Sequence, residues 1–147
     1  MMGEKINSIE VVIKSLYDSI SFKKGDRPDL QKLEKLFVDG ARLIRTTKDS
    51  HEIMNVDDFI NSFNTRIDAG DFIEFREYEI KNKIEMFGRI AHAFSTYETD
   101  FETPGEKLNS RGINSIQLIE MNGEWKVINI FWYNEDDENK IPREYLP

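Results

Sequence analysis

The segment 111–135, RGINSIQLIEMNGEWKVINIFWYNE, constrains the fold most, because two apolar runs flank Asn122-Gly123. Both central residues of a type I′ turn need positive φ, which Asn and Gly tolerate. The dipeptide therefore predicts a β-hairpin with a two-residue loop. The predicted register pairs Glu120 with Trp125, Ile116 with Asn129, and Ile113 with Trp132.

Both faces of this hairpin are apolar, although a sheet with one face in water needs hydrophobes on only one side. One predicted face carries Ile113, Ser115, Gln117, Ile119, Ile128, Ile130 and Trp132, and the other carries Asn114, Ile116, Leu118, Trp125, Val127, Asn129 and Phe131. The helices predicted below can cover one face but not both. We therefore expect one face to line an enclosed hollow and the other to form a homodimer through the sheet, since most soluble oligomers are symmetric.

Three amphipathic helices are predicted before most of the sheet. Apolar residues spaced three and four apart predict the first helix over 6–20, Pro28 begins a short second helix that runs to Phe37, and Asn55 caps a third over 56–67. The residues 48–55 are predicted to form a loop. Strands are predicted at about 41–47, 72–85, 89–102, 111–121 and 124–134. This pattern indicates an α+β fold in a single domain that spans residues 1–147.

Composition excludes several classes of function. The 147 residues contain 28 acidic and 20 basic side chains, for a net charge of −8, which is unlike a nucleic-acid-binding protein. Cysteine is absent, so thiol chemistry and cysteine-bound metals are excluded. No His/carboxylate cluster, P-loop, GxGxxG or nucleophile-elbow pattern occurs, so neither a metal nor another cofactor is expected. The sequence shows neither a signal peptide nor a membrane-spanning run, and we expect a cytoplasmic protein with no membrane partner.

The order of elements and several motifs resemble one protein superfamily. The motifs are LYDSISFKKGDRPDLQKLEKLF (16–37), ARLI (41–44), FGRIAHAFSTYE (87–98), RGINSIQL (111–118), WKVINIFW (125–132) and IPREYL (141–146). Together they resemble a bacterial subgroup of the nuclear transport factor 2-like, or SnoaL-like, superfamily. The resemblance covers nearly the whole chain. It implies a cone-shaped fold, in which three N-terminal helices pack on a strongly curved antiparallel sheet.

The resemblance also implies three functional hypotheses. The superfamily includes proteins that enclose apolar substrates, so the first hypothesis is a pocket for a small, partly apolar ligand. The second is a cofactor-free isomerase, dehydratase or cyclase, since such enzymes typically place an Asp, His or Tyr acid–base group in the cone. The third is a dimeric association domain without chemistry. Related final strands often read W-K-I-V-H-V-H-W, whereas Asn129 and Phe131 occupy the two histidine positions here.

His92 is the candidate catalytic residue, because it is the only histidine in a predicted strand and an imidazole facing the hollow would suit general-base chemistry. The alternatives are a histidine with a purely structural hydrogen bond and a histidine on the partner-facing surface. Strand alternation places His92 and Glu98 on one face and Tyr97 on the other, so His92 and Tyr97 share a hollow only if a bulge intervenes. Glu98 and Arg111 are predicted to form a cross-strand ion pair.

The candidate pocket residues come from the first helix and from three strands. They are Tyr17, Tyr97, Asn114, Gln117, Asn129, Phe131 and Trp132. Asn114 and Asn129 share one face of the hairpin, and Gln117 lies on the other. Only one of these two polar sets is expected in the pocket, and the sequence leaves the choice open.

Overall fold

A computed structural model describes residues 2–147. The helices are α1 (Met2–Ile20), α2 (Leu30–Glu34), α3 (Val56–Asp68) and a C-terminal 3-10 helix (Arg143–Tyr145). The strands are β1 (Phe37–Thr46), β2 (His51–Met54), β3 (Glu74–Phe87), β4 (Ile90–Thr103), β5 (Glu106–Met121) and β6 (Glu124–Asn134). The six strands form one sheet in the order β2-β1-β6-β5-β4-β3. β1 runs parallel to β6, and the other neighbouring strands are antiparallel. The predicted α+β class is confirmed.

The first and third helices form where the apolar spacing predicts them. α1 buries Ile9, Ile13 and Tyr17 along one side, as expected for an amphipathic helix. α3 begins with a capping box, in which the Asp58 backbone N–H donates to Asn55 Oδ1 at 2.7 Å and the Asn55 N–H donates to Asp58 Oδ2 at 3.3 Å. No helix within residues 2–147 combines the length and the apolar content that a membrane crossing requires.

The predicted elements between the first and third helices were partly wrong. The second helix ends at Glu34, and β1 begins at Phe37, because the chain there pairs with β6: the Val127 N–H donates to the Leu36 carbonyl at 2.8 Å. The predicted loop contains the short strand His51–Met54. A tight turn, in which the Thr47 N–H donates to the Ser50 carbonyl at 2.8 Å, folds this strand back onto β1.

The β5–β6 hairpin has the predicted turn. Asn122 and Gly123 have φ of 53° and 80°, as a type I′ turn requires, and Glu120 pairs with Trp125. Beyond the turn the register differs, because Gln117 pairs with Asn129 whereas Leu118 pairs with Val127. Ile128 is therefore an extra residue, which forms a β-bulge.

The bulge reverses the faces of β6 beyond Ile128. The predicted pairs Ile116–Asn129 and Ile113–Trp132 were wrong, since Ile116 pairs with Ile130 and Ile113 with Tyr133. Asn114, Ile116 and Leu118 of β5 consequently share the inner face of the sheet with Trp125, Val127, Ile130 and Trp132 of β6. Asn129 and Phe131 lie on the outer face.

Further register shifts occur in β3, where Ile80 is the extra residue, and in β1 between Phe37 and Arg42. Bulges bend a strand and increase its twist, so the sheet curves around α1 and α3. The hydrophobic core lies between these helices and the inner face. It is centred on Ile9, Ile13, Tyr17, Leu33, Phe63, Phe75, Ile116, Leu118 and Val127. The C-terminal 3-10 helix packs on the outer face, where the Tyr145 and Phe94 rings lie 5.2 Å apart.

Candidate functional site

The curved sheet and the helices form a cavity of about 770 Å³ that is partly open to solvent. Its volume lies within the range of small-molecule sites in proteins. Aromatic side chains form much of the lining: Phe59, Phe63, Phe72, Phe75 and Trp132. These rings contact one another, since Phe59 packs edge-on against Trp132 at 6.2 Å and Phe63 packs edge-on against Phe75 at 5.3 Å. Fixed aromatic contacts give the cavity a rigid apolar wall.

The strand register arranges polar side chains in rows across the inner face of the sheet. Neighbouring strands place these residues side by side: Glu77, Thr99 and Ser110 in one row; Tyr97, Gly112 and Asn134 in the next; Ser95, Asn114 and Trp132 in the third. Further along the sheet the rows become apolar, with Ala93, Ile116 and Ile130 in line. The cavity therefore has polar groups on one part of the sheet and hydrophobes on another.

Glu77 is the carboxyl group of the first row. Thr99 Oγ1 donates to Glu77 Oε2 at 3.1 Å, and the Glu77 backbone N–H donates to Ser21 Oγ at 3.0 Å, which fixes the strand against the end of α1. Glu77 keeps some exposed surface, but it lines the cavity, so that surface faces the cavity. Burial raises the pKa of Glu77 from 4.5 to about 7, although the Thr99 hydrogen bond opposes the shift. Its carboxyl can therefore accept or release a proton near neutral pH.

A chain of hydrogen bonds runs behind the cavity wall. Asn114 Nδ2 donates to Tyr17 Oη at 3.0 Å, Tyr17 Oη lies 2.6 Å from Ser95 Oγ, and Ser95 Oγ donates to Glu79 Oε2 at 2.5 Å. An ionised carboxylate only accepts hydrogen bonds, so the Ser95 hydroxyl donates a hydrogen bond to Glu79 and the Tyr17 hydroxyl donates one to Ser95. Burial, followed by the nearby Glu77 charge, raises the pKa of Tyr17. Tyr17 is thus a neutral phenol whose one proton is already engaged, and it fixes Asn114 at the cavity.

Tyr97 crosses the sheet in the second row. Its phenol extends over Gly112 and donates to Asn134 Oδ1 on β6. This path requires glycine, because a Cβ on residue 112 would lie 2.2 Å from Tyr97 Oη. Burial, followed by the Glu77 charge, raises the pKa of Tyr97, so this phenol also stays neutral.

The predicted pocket residues divide between the two faces of the sheet. Tyr17, Tyr97, Asn114 and Trp132 line the cavity, whereas Gln117, Asn129 and Phe131 lie outside it on the outer face. The two predicted polar sets do not separate as expected. The bulge at Ile128 moves Asn129 to the same face as Gln117 and leaves Asn114 in the cavity.

The predicted base and the predicted ion pair have other partners. His92 is exposed on the outer face, with Nε2 3.2 Å from Glu85 Oε1, so it cannot act on a molecule inside the cavity. Glu98 and Arg111 are register partners, as expected, but no ion pair joins them among residues 2–147. Arg111 Nη2 donates to Glu135 at 3.1 Å, and Glu98 accepts from the Tyr78 hydroxyl instead.

The lining residues that sequence reasoning missed include the polar and charged side chains of Glu77, Thr99, Arg45 and Arg66. A signal existed for Glu77, because it follows Phe75 by two residues and therefore shares its face of the strand. No comparable sequence pattern indicated that Arg45 and Arg66 line the cavity. Within residues 2–147, no group of three or more His, Asp or Glu side chains is arranged to hold a metal ion.

A curved sheet closed by helices around a cavity defines the class of cone-shaped α+β proteins. The fold is that of nuclear transport factor 2-like proteins, and the fold implied by the sequence resemblance is confirmed. A nuclear transport factor 2-like superfamily protein from Salmonella enterica serovar Typhimurium matches with a TM-score of 0.74 and 15% identity, over 93% of this chain and 95% of that one.

Two further solved structures share the fold. A proposed dehydratase of this family from Streptomyces avermitilis has a TM-score of 0.71 and 9% identity, over 92% of this chain and 99% of that one. A proposed Ca/calmodulin-dependent kinase II association domain from Exiguobacterium sibiricum has a TM-score of 0.67 and 11% identity, over 90% and 94% of the two chains. No protein-family model and no curated protein matches the sequence. These similarities show the fold, and the proposed function rests on the geometry of the cavity.

Proposed function

We propose that the protein binds a small, partly apolar molecule in the cavity. The cavity itself carries this proposal, because a concave, mostly apolar space of about 770 Å³ with a few polar groups in its wall is typical of small-molecule sites. Its aromatic wall favours an apolar body, and Glu77 and Asn114 offer hydrogen bonds to a carbonyl or hydroxyl group. The same volume argues against an association domain whose interior is filled by its own side chains.

Filling the cavity from β5 tests this proposal. Ser110 lines the cavity beside Thr99, so Ser110→Trp places an indole inside it. We expect the neutral fluorophore N-phenyl-1-naphthylamine to bind the unmodified protein and raise its Tm, and to lose most of both effects in the variant. Ser8→Trp, on an exposed position of α1, is the matched control and should bind as the unmodified protein does. Equal binding by both variants would place the probe elsewhere and overturn the proposal.

The second candidate function is proton transfer by Glu77, and the titration of this group near neutral pH favours it over His92. A carboxyl with a pKa near 7 is matched to acid–base work at that pH. Asn114 offers an amide group that could orient a substrate carbonyl. The candidate requires Glu77 to change protonation near neutral pH. Carboxyl ¹³C NMR, with Glu77→Gln to assign the signal, observes this directly, and a pKa below 5 would remove the candidate.

We further propose that the outer face pairs with a second copy of the chain. Ile53, Ile44, Phe131, Ser115 and Phe94 follow one another across β2, β1, β6, β5 and β4. Phe94 packs against Tyr145, but Phe131 and Ile128 remain 42% and 43% exposed. A mostly apolar row of this kind, interrupted by Ser115 alone, is typical of the centre of a homodimer interface.

Sedimentation velocity at micromolar concentration tests the homodimer. We expect a dimer, and we expect Phe131→Lys to shift it towards monomer, because the interface would then bury an unpaired charge. Val11→Lys, at a 65% exposed position on α1, is the control and should stay dimeric. A monomeric unmodified protein would refute the proposed dimer.

The cytoplasmic location stays a prediction from the sequence, which cell fractionation would check.

A further inference from the structure

Arg45 and Arg66 are two half-buried cations that line the cavity. Arg45 lies beside Trp132 in the sheet register, and the Arg66 guanidinium carbon lies 4.2 Å from the centroid of the Phe72 ring. Neither forms an ion pair with another of residues 2–147. Burial, followed by the positive charge of Arg45, lowers the pKa of Arg66, and the Asp71 charge opposes this only in part. The two charges therefore act on each other within one site.

The other charged side chains of the lining are already paired. The acidic segment 135–138 and Lys48 meet these partners: Glu135 with Arg111, Asp136 with the Tyr133 hydroxyl and the Glu138 and Asn139 backbone N–H groups, Asp137 with Lys140 at 3.9 Å, and Glu138 with Lys48. Glu77 accepts from Thr99. Arg45 and Arg66 are thus the lining cations without a carboxylate partner in the described part of the chain.

We propose that the ligand is an amphipathic monoanion, a carboxylate on an apolar body, whose head group binds at Arg45 and Arg66. This inference rests on the proposed function of the cavity. Guanidinium groups present a fork of N–H donors that matches a carboxylate. Trp132 neighbours Arg45 in the sheet register and packs against Phe59, and Phe72 lies under the Arg66 guanidinium, so these rings are placed to contact the apolar body. A single negative charge fits better than two, because four carboxylates of segment 135–138 also line the cavity and repel a dianion.

The test compares two molecules with the same ten-carbon chain and different head groups, the anionic decanoate and the neutral 1-decanol, as competitors of bound N-phenyl-1-naphthylamine. In Arg45→Gln and in Arg66→Gln we expect decanoate to bind about tenfold more weakly than to the unmodified protein, because a charge-assisted hydrogen bond is lost. Binding of 1-decanol should change less than about twofold, since the apolar wall is kept. Arg42→Gln, on an exposed position of β1, is the matched control and should leave both affinities unchanged.

Each other outcome contradicts the anion site, and the outcomes differ in whether they also contradict the proposed function of the cavity. If 1-decanol binds the unmodified protein and decanoate binds the unmodified protein and both variants equally, the anion site is refuted while the cavity function stands. If neither competitor displaces a fluorophore whose binding Ser110→Trp abolishes, the anion inference fails while the cavity function stands. If Ser110→Trp binds both competitors normally, the cavity is not the binding site and both proposals fail. Loss of 1-decanol binding in the arginine variants would mean that the arginines support the wall and do not recognise charge.

Discussion

The free energy of unfolding should fall by about 3 kcal/mol as pH rises from 4.5 to 8, through the ionisation of Glu77 alone. The folded-state pKa of about 7 lies above the value of 4.5 that an unburied glutamate has. Between these values the folded protein holds a proton that the unfolded chain has released. Stability from this group is therefore complete below pH 4.5 and is lost as pH rises through 7.

Glu77→Gln isolates this effect, because glutamine has the shape of protonated glutamate and never ionises. At pH 4.5 the variant and the unmodified protein should unfold at similar urea concentrations. At pH 8 the variant should be more stable, by about 2–3 kcal/mol. Glu106→Gln, at an exposed position on β5, is the control and should keep the pH dependence of the unmodified protein. Parallel stability curves for Glu77→Gln and the unmodified protein would contradict a buried, protonated Glu77.

The same titration bears on ligand binding. Below pH 7 the protonated carboxyl can donate a hydrogen bond into the cavity, and above pH 7 it can only accept one. An anionic ligand should therefore bind better below pH 7, where Glu77 adds no second negative charge to the cavity. The lower stability at high pH and the pH dependence of ligand binding have the same physical cause, which is the burial of Glu77 away from water.

The fold was predictable where local sequence decides the structure. The helical spacing of Ile9, Ile13 and Tyr17 and the capping residue Asn55 act within a few residues, and the first and third helices formed as predicted. His51–Met54 was missed because a short, mostly polar segment becomes a strand only through its pairing with β1. The pairing is a tertiary contact, which local propensity does not contain.

Four of the seven predicted pocket residues line the cavity, and one bulge explains two of the three that do not. Tyr17 lies on the apolar stripe of a helix, so its inward direction followed from spacing. Asn129 and Phe131 were assigned from strict alternation, which holds only until the extra residue Ile128 reverses the faces. Glu77 shares a strand face with Phe75, but it was missed because aromatic and charged residues occur on both faces of β3 between Phe75 and Glu79, which makes the alternation signal weak there.

Gly112→Ala should destabilise the protein by about 2–3 kcal/mol, the cost of overpacking a buried position. An added Cβ would lie 2.2 Å from Tyr97 Oη, 2.5 Å from Tyr97 Cζ and 2.6 Å from the Tyr133 carbonyl oxygen. The first two contacts can relax if the phenol moves, but the carbonyl belongs to the neighbouring strand. Gly3→Ala is the matched control, because nothing lies within 4 Å of a Cβ there and alanine favours the helix.

The contribution of Tyr97 can be separated from that of the backbone by a double-mutant cycle. In a Tyr97→Leu background, Gly112→Ala should cost at least about 1 kcal/mol less than in the unmodified protein, because the phenol clash is gone and the Tyr133 carbonyl clash remains. Urea denaturation of the four proteins measures this coupling. Equal costs in both backgrounds would mean that Tyr97 does not cross over Gly112. Since a displaced phenol also loses its bond to Asn134, Gly112→Ala should weaken N-phenyl-1-naphthylamine binding, which links this glycine to the cavity as well as to stability.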